Sequence, residues 1–110
     1  MRDAREMVRF VPWPFRGNRF PPELGAVVMR SVLEGRRPAL LVWHSEDNDW
    51  AVGDGIDDPN APGACVATHL GHVVALDPSI AELAGMPPGT RADRPSAAAP
   101  WTISEARDEE

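Results

Sequence analysis

Lysine and tyrosine are absent from this chain, and cysteine occurs once. Without lysine, all eleven cations are arginine, which fits a GC-rich coding sequence and carries no functional signal by itself. The single Cys65 excludes an intramolecular disulfide and fits a reducing compartment. No apolar run approaches the roughly 20 residues of a membrane-spanning helix. The opening MRDAREMVRF is charged and lacks the hydrophobic stretch of a secretory signal. A phosphate-binding loop is missing too, because Gly53, Gly55 and Gly63 are not followed by the Lys-Ser/Thr pair that such a loop requires. These absences lead to the expectation of a cytoplasmic protein without a membrane partner.

What is present fits one domain of 110 residues, 43% hydrophobic and 25% charged. Trp13, Trp43, Trp50 and Trp101 supply much of the large apolar surface, each able to bury about 200 Å². Charge is unevenly spread. Residues 1–37 hold eight arginines against four acids, whereas residues 38–110 hold three against thirteen. An acidic body repels phosphate backbones, so nucleic acid is not expected as a partner; a basic protein is.

Residues 1–22 read as an extended arm. Pro12, Pro14, Pro21 and Pro22 stop any helix begun near the start, and Phe10, Trp13, Phe15 and Phe20 are free to pack across the domain. Residues 23–103 form the domain proper. Residues 25–33, 39–44 and 50–53 read as three strands joined by short turns, hence an antiparallel meander. Residues 64–68 are an apolar run of ambiguous type, and 69–76 read as a short helix weakened by Gly71. Asp77 is placed as an N-cap with Pro78 at the first helical position, Gly85 closes the turn, and Ile80, Leu83 and Ala84 form the buried face. Residues 90–94 suggest a last edge strand, Trp101 and Ile103 tack back onto the body, and 104–110 form an acidic tail. The expected fold is α+β: a small antiparallel sheet of three to five strands with short helices on one face.

Polar chemistry concentrates in VWHSEDNDWAVGDGIDDP, residues 42–59, where Trp43 and Trp50 flank a charged turn and six acids crowd nearby. Calcium-loop spacing fails here. From Asp47 the glycine falls seventh rather than sixth, and from Asp54 the third position is Ile56. The carboxylates lie along one loop with no opposing wall for acid–base work. His44 ends a strand and suits a hairpin-capping role. Cys65, His69 and His72 are spaced i, i+4, i+7 and would share a face if 65–76 were one helix, yet no fourth zinc ligand is placed. A Cys65/His69 nucleophile pair lacks an orienting third group. No catalytic residue, metal or cofactor is expected.

The order of features, with Trp50, Gly53 and Asp54, then Asp77, Pro78, Ile80 and Leu83, then Pro88 and Gly89, resembles a family of small bacterial domains classed as polymorphic-toxin immunity proteins of type thirty-three. The resemblance spans roughly residues 26–94. Asp49 stands where that family often has Gly before the Trp. The resemblance implies an α+β domain that neutralises a toxin by binding it, and no catalytic residues. The residues expected to meet a basic, toxin-like partner are Trp43, His44, Asp47, Asp49, Trp50, Asp54, Asp57 and Asp58. Two other readings stand beside it: a metal-dependent or ligand-binding domain using Cys65, His69 and His72, and a structural or oligomerising domain using the aromatic arm.

Overall fold

A computed structural model describes residues 13–21, 24–56, 58 and 61–105. Six strands form one mixed sheet: β1 (Gly25–Met29), β2 (Leu41–His44), β3 (Trp50–Gly53), β4 (Cys65–His69), β5 (Thr90–Asp93) and β6 (Thr102–Glu105). Their order across the sheet is β4-β1-β3-β2-β5-β6. The fold is α+β as expected, but the sheet has one strand more than the expected upper limit and is not wholly antiparallel.

The meander is the main correction. β2 and β3 do form an antiparallel hairpin, pairing Trp43 with Ala51 and His44 with Trp50. β1, however, pairs with β3 in parallel, Val27 with Ala51 and Val28 with Val52. The strand expected over 25–33 stops at Met29, and the chain coils into a single helical turn, α1 (Arg30–Leu33). Ser31 and Val32 turn inward there, and the Ser31 hydroxyl donates to the Asp54 carboxylate at 2.7 Å. The eleven residues 30–40 then skip one place in the sheet, into which β3 returns.

Residues 64–68 resolve as β4, antiparallel to β1, and α2 (Leu70–Leu76) follows directly. Pro78–Gly85 is a 3-10 helix with Asp77 as its cap, accepting from the Ser79 amide, and Ile80, Leu83 and Ala84 are its buried residues, as the sequence indicates. β5 is not an edge. It lies between β2 and β6, and β6 closes that side of the sheet with all four residues exposed.

Alternation along the strands separates two faces. Val28, Val52, Val42 and Ala92 fall in one cross-sheet row through successive pairings, all buried. Against this face pack Leu70 and Val73 of α2, the buried residues of the 3-10 helix, and Phe15. The described part of the arm therefore lies on the chain's own core. Phe15 is buried, Trp13 and Phe20 pack beside it, and the Trp13 indole N–H donates to the Ala84 carbonyl at 3.2 Å. Phe15 is thereby unavailable to a second copy, and Trp13 and Phe20 are partly covered. Of the tail expected over 104–110, Ser104 and Glu105 belong instead to β6; residues 106–110, like 1–12, 22 and 23, lie outside the described residues.

Candidate functional site

The sequence assigned eight residues to one surface, and burial divides them. Trp50, His44 and Asp54 are inside the molecule, at 1%, 0% and 0% exposure. They cannot touch a partner, and each has an internal task instead.

Trp50 and His44 are the centre of an aromatic stack. Their rings lie 3.9 Å apart and 15° from parallel, with Phe20 edge-on to Trp50 at 4.9 Å and Phe15 at 5.9 Å. Pairs of this kind contribute about 0.5–1.5 kcal/mol each beyond their buried area. His44 Nδ1 donates to the Met86 carbonyl at 2.7 Å, and Nε2 meets the Asn48 side-chain amide across the hairpin turn. The hairpin-capping role read from the sequence is thus what the side chain does. Asn48 takes a left-handed φ of 69° at the turn, and the Ser45 hydroxyl accepts from the Asp47 and Asp49 amides.

Asp54 fixes the bend after β3. One carboxylate oxygen accepts from Ser31, the other from the Ile56 amide at 2.8 Å, and the Arg37 guanidinium stands 3.6 Å away. The buried carboxylate is hydrogen-bonded and faces a cation, which is how a buried charge is tolerated.

Trp43, Asp47, Asp49 and Asp58 remain outside the core. Trp43 is half-buried on the sheet face opposite the core. Its row runs through Ala51 to Val27 and Ala67 on one side and to Arg91 on the other. Val27 is 48% exposed, and Ala67 and Arg91 are exposed. From Ala67 to Trp43 this row is apolar, and on the other side of Trp43 it meets the exposed Arg91 cation. Asp47 and Asp49, with Glu46, are exposed at the adjoining hairpin turn. Asp58 is exposed on the loop after β3, and Asp57 lies outside the described residues.

The Cys65, His69 and His72 triangle is not assembled. It required one helix, but Cys65 and His69 are the two ends of β4, about 13 Å apart at a strand's rise per residue. Only His69 and His72 meet, with rings stacked at 5.5 Å. Among the described residues, no three His, Cys, Asp or Glu side chains come together as a metal site.

Sequence reasoning missed Arg94 altogether. Its guanidinium is buried and all five N–H groups are used. Nε and Nη2 donate to the Ala39 carbonyl, Nη2 also to Asp77, and Nη1 to the Ser79 hydroxyl and the Ala97 carbonyl. Trp101 covers it, 4.1 Å from ring centroid to guanidinium carbon, and donates its own N–H to Ser79. Burial alone would raise the Asp77 carboxyl, but the Ser79 hydrogen bonds and the Arg94 charge outweigh it and hold Asp77 below its ordinary value. The partners lie up to 55 positions away, so no local pattern marks the residue. A guanidinium with no donor to spare is structural.

No family model matches this chain, and neither do any curated proteins or solved structures. Among the described residues no helix is long and apolar enough to cross a membrane.

Proposed function

We propose that this chain is a cytoplasmic protein-binding module of the immunity type, which occupies and silences a basic, toxin-like protein. Its docking surface is the open sheet face around Trp43 together with the acidic turn beside it. The observation that carries this reading is Trp43 itself, a large aromatic left half-buried between Ala51 and Arg91 on the outer sheet face while the other sheet tryptophan is buried. Aromatic anchors of this kind dominate binding energy at protein interfaces. Asp47, Asp49 and Asp58 supply the field that steers a basic partner into place, and charge of this sort acts on association rate and specificity more than on residence time.

The test is co-purification from a bacterial lysate with three baits: wild type, Trp43→Ala, and the Asp47→Asn/Asp49→Asn/Asp58→Asn triple variant. A stoichiometric basic protein is expected on wild type, lost from Trp43→Ala, and released from the triple variant at lower salt. That protein should be toxic when expressed alone and harmless when this chain is co-expressed. Equal capture by all three baits, or a captured protein that is harmless alone, sinks the proposal.

A further inference from the structure

A second region shares Asp58 with the acidic part of that surface. β1 ends, and α1 begins, against the turn formed by residues 61–64, and a cleft of about 430 Å³ opens between them. The two walls are clasped together by Arg30, whose amide donates to the Ala64 carbonyl at 2.7 Å and whose Nε donates to the Gly63 carbonyl at 2.8 Å. The clasp spends one of the five guanidinium N–H groups of Arg30 and fixes the direction of the other four. Arg36 lines the same cleft, and its guanidinium is aimed by Glu34 through contacts of 3.0 and 2.9 Å. At the floor is Ser31, buried and held by Asp54.

We propose that this cleft binds a small molecule through an oxyanion group, phosphate or carboxylate, held by the guanidinium groups of Arg30 and Arg36. Arginine's planar fork matches either oxyanion; Arg30, clasped to the Gly63 carbonyl before binding, loses little side-chain freedom when the ligand enters, and Arg36 shares its guanidinium between the ligand and Glu34. The wall provided by Ala61, Pro62 and Ala64 suits an apolar body behind the charged group. A neighbouring cleft of about 400 Å³ shares Arg36 and adds Arg37, but it has the Asp77 carboxylate in its wall and is the poorer anion site. In the proposed site the opposing charges are Glu34, already paired with Arg36, and Asp58, which lines the cleft and is itself engaged. Neutralising Asp58 should therefore strengthen binding, which is the opposite of its effect on a basic partner. The anion site thus stands or falls separately from the immunity reading.

The experiment is an NMR titration of the full chain with inorganic phosphate, and separately with acetate, at ionic strength held constant with sodium chloride. Saturable shifts are expected at the Arg30 and Arg36 side-chain N–H signals and the Ser31 amide. Arg36 is exposed enough to change without unfolding the chain, its side chain being 61% accessible. Arg36→Gln should weaken binding about tenfold, the usual scale for losing a charge-assisted contact. Asp58→Asn should tighten it about threefold. Saturation by phosphate alone assigns the site to phosphate-bearing ligands, and saturation by both assigns it to oxyanions in general. Shifts that stay linear in both titrations, or a phosphate affinity unchanged in Arg36→Gln, overturn the proposal.

Discussion

Single side chains show how much of this molecule is held by contacts between distant residues. Arg94 joins the entry to β2, the cap of the 3-10 helix and the Trp101 segment through one saturated guanidinium. Arg94→Ala strands Asp77 and two carbonyls at once. It should cost about 3–5 kcal/mol, read as a lower denaturant midpoint, because breaking a buried pair leaves its partner uncompensated. Asp77 also makes stability depend on acid. Its folded value lies below the ordinary 3.8, so its contribution is full at neutral pH and is lost as pH falls through that depressed value. Asp77→Asn should therefore lower stability at pH 7 and shrink the difference between pH 7 and pH 3. Denaturation curves at the two values check this. Trp50→Ala should cost about 3–5 kcal/mol for a buried aromatic, against well under that for Trp43→Ala. The two tryptophans look alike in the sequence and differ only in which sheet face the register gives them.

At the scale of elements, what could be read beforehand was what local chemistry decides. The Asp77-Pro78 start and the inward Ile80, Leu83 and Ala84 follow from capping and spacing within a few residues, and the structure repeats them; Gly85, expected to close the helix, is instead its last residue, and Met86 is the cap. The β2–β3 hairpin was legible for the same reason. What was illegible depends on distant partners. The run 25–33 favours a strand throughout, and the turn that leaves the sheet after Met29 is held by distant partners, the Ser31–Asp54 bond across 23 positions and the Arg30 amide on the Ala64 carbonyl. The parallel pairing of β1 with β3 follows from that departure. Of the site, the acidic turn was legible, but the inward direction of His44, Trp50 and Asp54 was not, since alternation assigns a face only once the register is known. β6 has no buried side chain and pairs only with β5. Its amides should exchange with deuterium well before those of β1 and β3, which lie inside the sheet, and exchange-coupled NMR reads both directly.

For the whole molecule, the division is between a core face filled by helices and arm, and an opposite face left open around Trp43. Glu46, Asp47 and Asp49 bring exposed negative charge to the hairpin turn beside that second face. A binding module requires both features, whereas solubility alone would require only the charge. The measurement that bears most directly on this claim is the dissociation constant of the co-purified basic partner for wild type and for Trp43→Ala. An interface anchored on this face predicts a loss of about thirtyfold or more, the scale of a hot-spot aromatic, with the variant still folded. An affinity that Trp43→Ala leaves unchanged would contradict the account.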